Sequence, residues 1–271
     1  MAVQKKQNTR QRSTASRRVY NDKHIICFLF LVCLLATSLL GSMLYFLYWL
    51  DIPDIKNVSH YKPHQTTYIY DRNGKVVERI FIENRTLIPL EKMPKKLGVA
   101  FVAAEDGRFF DHPGLDFFSV IRAAINNIRE GRRGQGGSTI TQQVAKSLLL
   151  SPEKTYLRKI REAILAWRID TLLSKEEILY IYLNEIYLGA GAYGVEAASQ
   201  AYFNKHVWQL DLAEMATLAG LPQAPSRYSP LNHPKRAAAR KKYVLNRMAA
   251  DGYITTEQAR KAYESKMHYA I

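Results

Sequence analysis

From Ile25 to Leu50 the chain runs 26 residues without a charged side chain and ends in Tyr45, Phe46, Tyr48 and Trp49. At about 1.5 Å per helical residue, such a run exceeds the roughly 30 Å of hydrocarbon in a bilayer, which predicts a transmembrane helix. The aromatic end suits an interfacial belt. A cleaved signal peptide has an apolar stretch of only about 7–15 residues, so the pattern predicts a retained anchor. After a linker at residues 51–65 the period changes. Thr66–Tyr70 and Lys75–Phe81 alternate apolar with polar positions around Asn73-Gly74, a strong hairpin signal.

The remainder reads as helices. Pro94 opens a segment whose apolar residues Leu97, Phe101 and Val102 lead to Glu105 at a helix end. Phe117–Glu130 forms a second helical pattern, stopped by Gly131. Residues 131–137 hold four glycines in seven positions, which predicts a mobile loop. Ser138 or Thr139 then caps a helix through Leu149. Ser151-Pro152-Glu153 is a further start signal, with proline at the first helical position. That helix carries Leu157, Ile160, Ile164 and Trp167 at core spacing. Ser174–Glu177 and Asp211–Glu214 are capping boxes. A helix from near Pro234 ends at Gly252, and Thr255–Gln258 caps the last one. The expected fold is mainly α, with a small β-hairpin, preceded by one transmembrane helix.

Charge adds an orientation. Of 39 Lys+Arg and 24 Asp+Glu, seven cations and one acid lie in residues 1–24. A basic segment before the span predicts a cytoplasmic N-terminus by the positive-inside rule. The expected organisation is a basic tail at 1–24, a signal-anchor at 25–50, the linker, and an extracytoplasmic domain at 66–271. Residues 51–271 keep 32 cations against 23 acids, a net charge of +9. That excess suits an anionic partner: nucleic acid, a membrane surface or a polyprenyl diphosphate. The two cysteines, Cys27 and Cys33, fall inside the span, so the outer domain needs no disulfide.

Three polar strings interrupt the packing pattern: residues 105–114, residues 137–143 and residues 158–162. Two carboxylates with a cationic cradle between them suit the breaking of a glycosyl–phosphate bond. Inverting glycosyl transfer needs a base on the acceptor hydroxyl, and a diphosphate leaving group needs cations more than a proton donor. Glu105, among Phe101, Phe109 and Phe110, has an apolar setting that would raise a carboxyl pKa. Taken alone it fits a helix-end carboxylate making a local hydrogen bond better than a base. Arg158, Arg161 and Glu162 share a helical face, with Lys159 beside Glu162, and Lys146 lies one turn beyond Gln142. Each could be a solvated surface residue in isolation.

Their order along the chain changes that reading. Glu105-Asp106 with Phe109, His112 and Gly114 comes first, then Gly137-Ser138-Thr139-Ile140-Thr141-Gln142-Gln143. Arg158-Lys159 with Glu162 follows, then Lys175 with Ile178-Leu179, Tyr182-Leu183-Asn184, Gly189 and Gly194-Val195, and finally Leu221-Pro222-Gln223-Ala224-Pro225. This resembles the five-motif signature of the peptidoglycan glycosyltransferases, glycosyltransferase family 51, over roughly residues 66–265. The resemblance implies a lysozyme-like helical domain that polymerises lipid II on the outer face of a bacterial membrane. It implies Glu105 as the base and Glu162 as organiser of the donor site. Lys146, Arg158 and Lys159 would hold the diphosphate. Ser138, Thr139, Gln142 and Gln143, with Gly137, Asp106, Phe109 and His112, would line the cleft, and Asn184 and Gly189 would shape it. The family often has an Arg just before the third motif. Here Lys154 stands nearest, and lysine lacks the bidentate fork.

No cofactor is required by these residues, although a divalent cation, Mg or Mn, is compatible with the diphosphate. The implied partners are lipid II, the growing glycan strand, the bacterial membrane and other cell-wall synthesis proteins, with no nucleic acid. Family members occur alone or fused to a penicillin-binding transpeptidase, and the sequence leaves open which applies. Ser151–Lys154 matches Ser-x-x-Lys, but reads as a helix start and no Lys-Thr-Gly follows. The alternatives are a lytic, peptidoglycan-cleaving enzyme, which would not need Arg158-Lys159, and a non-catalytic wall-binding anchor protein.

Overall fold

The computed structural model describes residues 2–55, 58, 61–122, 137–151, 153 and 155–270, in two compact units, Met1–Ile52 and Pro53–Ile271. The first unit is one helix, α1 (Ala2–Trp49), which continues through the basic tail. Within it Lys23–Phe46, 24 residues of mean hydropathy 2.5, is long and apolar enough to cross a membrane. This stretch begins two residues before the expected span and stops four short of it.

In the second unit the hairpin forms as its alternation predicts. β1 (Thr67–Tyr70) pairs antiparallel with β2 (Val76–Ile80), Thr67 opposite Ile80 and Tyr70 opposite Val76, with an irregularity between Ile69 and Tyr70. Gly74 takes a positive φ of 77° at the turn, and Asp71 Oδ1 accepts from the Asn73 and Lys75 amides. A second sheet pairs β3 (Asn84–Arg85) in parallel with β4 (Ala192–Tyr193). Buried Arg85 donates from Nε to the Asn184 carbonyl and from Nη2 to Glu185, which ties this sheet to the helices.

The helices fall into two groups. One joins α2 (Lys95–Glu105) to two helices near the C-terminal end of the chain, Leu212–Ala219 and Pro234–Ala250. The other joins α3 (Ile140–Leu149) to α4 (Tyr156–Leu172) and α5 (Lys175–Glu185). Phe101 of α2 meets Tyr182 of α5 edge-on, ring centroids 6.0 Å apart. Gly98 permits close packing there, since a Cβ on it would lie 3.2 Å from Leu179 Cδ2. The remaining helices are α6 (Val195–Phe203), α7 (Leu212–Ala219), α8 (Pro225–Tyr228), α9 (Pro234–Ala250) and α10 (Thr256–Glu264). The boxes at Ser174, Asp211 and Thr255 all cap helices as expected.

Two expectations are corrected. The helix expected to begin at Pro152 starts at Tyr156 instead, because Thr155 accepts the Arg158 amide and supplies the cap. Its buried face is Glu162, Leu165, Ala166 and Ile169, whereas Ile160 and Trp167 are exposed. The choice between Ser138 and Thr139 falls to Thr139, whose side chain and Gln142 close a capping box. Helix begins at Phe117 and is described to Arg122. The rest of the expected 117–130 helix, most of the glycine loop, Pro152 and Lys154 lie outside the described residues.

Candidate active site

Glu105 is the last residue of α2, where the helix delivers its side chain to a cleft of about 580 Å³. Its carboxylate meets one donor on each oxygen. Gln143 Nε2 donates to Oε2 at 3.2 Å, and Arg240 Nη2 donates to Oε1 at 3.1 Å. Burial raises the carboxyl pKa and is the largest influence, opposed by the Arg240 charge and by the two hydrogen bonds, with Asp106 adding to the rise. The expected upward direction therefore holds, with polar neighbours as well as apolar ones. Phe101 and Phe109 are buried in the core, but Phe110 is exposed.

The second motif is positioned by the first. Asp106 accepts from His112 Nε2 at 3.0 Å and from the Ile140 amide at 3.0 Å, so its carboxylate sits at the α3 N-terminus. Thr139 Oγ1 accepts the Gln142 amide and donates to the Gly114 carbonyl at 2.6 Å. Gly114, at φ 77°, lies so close to α4 that a Cβ would stand 2.5 Å from the Ala166 carbonyl oxygen. These contacts lock residues 105–114, α3 and α4 to one another. Gly137, Ser138, Thr139, Gln143 and Lys146 line the cleft as a result.

From α4, Arg158, Lys159 and Glu162 join the same cleft. Lys159 Nζ donates to Ser138 Oγ at 2.7 Å and forms an ion pair with buried Glu162. Arg158 Nε is buried and has no hydrogen-bond partner among the described residues. With exposed Lys146 these residues give the cleft that holds Glu105 a cationic lining.

Other expected site residues stand elsewhere. Phe109 is fully buried, with Lys175 Nζ 4.8 Å from its ring centroid. His112 and Gln142 are buried partners of Asp106 and Thr139, away from the cleft lining. Asn184 bonds the Ile88 amide and carbonyl and the Tyr180 carbonyl, so it fastens the β3 segment to α5. Gly189 takes φ 86° where a Cβ would meet Tyr202 Oη at 2.6 Å. These residues hold the walls in place without forming them.

Sequence reasoning missed Arg240, Tyr243 and Arg247, three cleft residues on one face of α9. Their i, i+3, i+7 spacing was visible, but the Arg240-Lys241-Lys242 run reads as a solvated face. Asp116 was also missed. Burial pushes its carboxyl up, but hydrogen bonds from Ser119 and the Arg108 guanidinium outweigh that and hold it at about 2. It is an anion at any working pH. Among the described residues no group of three or more His, Cys, Asp or Glu could hold a metal ion.

The domain is mainly helical, and one cleft gathers Glu105 with Lys146, Arg158 and Lys159. The family profile described as Transglycosylase matches residues 73–249, and the chain belongs to that family as a peptidoglycan glycosyltransferase domain. Among its relatives, "Penicillin-binding protein 1A" of Aquifex aeolicus is 50% identical over 212 residues, 78% of this chain and 29% of that protein. The protein of the same name from Rickettsia bellii is 44% identical over 238 residues, 87% of this chain and 30% of that protein. The chain thus spans about 30% of the length of these curated relatives. A crystal structure of penicillin-binding protein 1A from Haemophilus influenzae is 27% identical, with a TM-score of 0.44, and covers 78% of this chain and 22% of that one.

Proposed function

We propose that this domain polymerises lipid II into glycan strands by inverting glycosyl transfer, releasing undecaprenyl diphosphate. The observation that carries the reading is one cleft holding buried Glu105 together with Lys146, Arg158 and Lys159. Glu105 acts as the base. It accepts the proton of the acceptor's 4-hydroxyl as that oxygen attacks the anomeric carbon of the growing strand, and inversion follows from attack opposite the leaving group. The raised carboxyl pKa suits a base that must take up a proton and return it. Lys146, Arg158 and Lys159 offset the charge developing on the diphosphate. Glu162 keeps Lys159 in place through their ion pair. A divalent cation would be held by diphosphate oxygens.

The apolar N-terminal helix supports anchorage in a bacterial cytoplasmic membrane with the N-terminus inside, and the catalytic domain on the outer face. The partners are then the growing strand and other cell-wall synthesis proteins. Incubation with lipid II tests the reading: ladders of glycan that lysozyme digests are expected. Release of fragments from preformed peptidoglycan, with no ladders from lipid II, would show a lytic enzyme instead.

A further inference from the structure

Arg240 is held from every side before any substrate arrives. It is nine-tenths buried, and its Nε donates to the Gly220 carbonyl at 3.2 Å. Its guanidinium carbon lies 4.6 Å from the Tyr243 ring centroid and 5.7 Å from that of Tyr228. Fixed in this way, Nη2 reaches Glu105 Oε1. An ionised carboxylate offers about four acceptor positions, so Arg240 and Gln143 leave room for an incoming hydroxyl. Other groups face the same carboxylate or share its cleft. Asp106 follows it at the end of α2, Tyr182 faces it from α5, and Lys146 comes from α3. Arg158, Lys159 and Glu162 come from α4, Arg247 from α9, and Asp116 precedes the helix at 117. Among the described residues Arg240 alone gives Glu105 a charged hydrogen bond.

Gly220 completes the arrangement. Its backbone is ordinary, at φ −80° and ψ −16°, so conformation does not demand glycine. Space does: a Cβ there would stand 2.8 Å from Arg240 Cγ and 3.3 Å from the Thr217 carbonyl oxygen.

We propose that Arg240 is the positioning residue of the base, holding the Glu105 carboxylate oriented and charged in its buried site, and that Gly220 is glycine to let the Arg240 stem pass. The inference rests on Glu105 being the base. Without the guanidinium, the Gln143 hydrogen bond would be left to oppose burial at Glu105, and the carboxylate would require a higher pH to ionise. A neighbouring opposite charge typically moves a carboxyl by about 1–3 units.

The test is the pH dependence of kcat/KM for lipid II polymerisation by the full chain in liposomes, using wild type, Arg240→Gln, Arg240→Lys, Gly220→Ala and Glu105→Gln, with melting curves for each. Arg240→Gln is expected to move the acidic limb up by about one unit or more, with activity recovering toward high pH. Arg240→Lys should keep the limb near wild type while losing rate, since lysine lacks the fork. Gly220→Ala should move it in the same direction as Arg240→Gln, by less. A limb that stays put while activity falls equally at all pH values overturns the inference. If Arg240→Gln is inactive throughout, an unmoved limb in Gly220→Ala overturns it. Full activity in Glu105→Gln would instead remove the base reading on which it stands.

Discussion

At Glu105 two influences compete on one carboxyl, burial raising its pKa and the Arg240 and Gln143 donors lowering it. A raised carboxyl pKa suits the proposed base, which must take up a proton and give it up again. Glu105→Gln keeps the shape and the Gln143 side of the network but removes the base. Polymerisation should fall by about 10²-fold or more while binding of a phosphoglycolipid inhibitor persists. A variant within threefold of wild type would take Glu105 out of that role. The cationic wall has its own test. Lys159 lies in the cleft between Ser138 and Glu162, whereas Lys261 is exposed and, among the described residues, pairs only with Glu257 on its own helix. Charge-assisted bonds to a localised dianion are roughly twice as strong as neutral ones, and exposed surface pairs contribute little. Lys159→Ala should lower both turnover and inhibitor binding, and Lys261→Ala neither, with the difference surviving raised salt. Equal effects would make the α4 cations an ordinary surface. Glu105, Lys159 and Glu162 were legible because charged residues interrupt a helical core pattern. Arg240 was not, since its partner is 135 residues away and its neighbours are two more lysines. Sequence also marked His112 and Asn184 as unusual, but could not tell a residue that lines the cleft from one that holds its wall.

At the scale of elements, the site depends on where helices begin. The α3 start is fixed by Thr139, which caps the helix and also bonds the Gly114 carbonyl, so one hydroxyl aligns the first two motifs. Thr139→Ala should therefore cost about 1–2 kcal/mol of stability, the upper range for losing a cap. Ser138→Ala, which removes only a partly exposed contact to Lys159, should stay within about 0.5 kcal/mol. Denaturant unfolding of the two variants decides it, and equal losses would refute the cap's double role. The start of α4 shows the limit of local signals. Pro152 looked like a first helical residue, yet Thr155 makes the cap and the register follows it. The expected core stripe is also off by a face: Glu162 is buried with Leu165 and Ile169, while Trp167 and Ile160 are exposed. A buried carboxylate is costly without a partner, and Lys159 supplies one. No periodicity argument would place a glutamate in the core; its pairing with Lys159, which also bonds Ser138, makes sense of it.

At the scale of the whole molecule, the lipid of the proposed substrate sets a condition that the cleft must satisfy. A polyprenyl chain does not leave the bilayer, so the opening beside the diphosphate wall has to meet the membrane surface. The helical turn at 117–122 suits that condition. Asp116, Ser119 and Arg122 line the cleft, while Phe117, Phe118, Val120 and Ile121 are 66%, 74%, 48% and 57% exposed. Apolar side chains clustered at a surface in this way mark an interaction site, and a scatter of single ones would not. Their burial in lipid would favour association by about 25 cal/mol per Å² of apolar surface covered. Replacing Phe117 and Phe118 together by serine should then raise the KM for long-chain lipid II in liposomes severalfold. The chemistry itself lies on the other face of the turn and should be spared. With a short-chain, water-soluble lipid II analogue the same double variant should turn over within about twofold of wild type, because that substrate asks nothing of the bilayer. A matching loss on both substrates would place the two phenylalanines in the architecture of the cleft and leave the membrane contact to other residues.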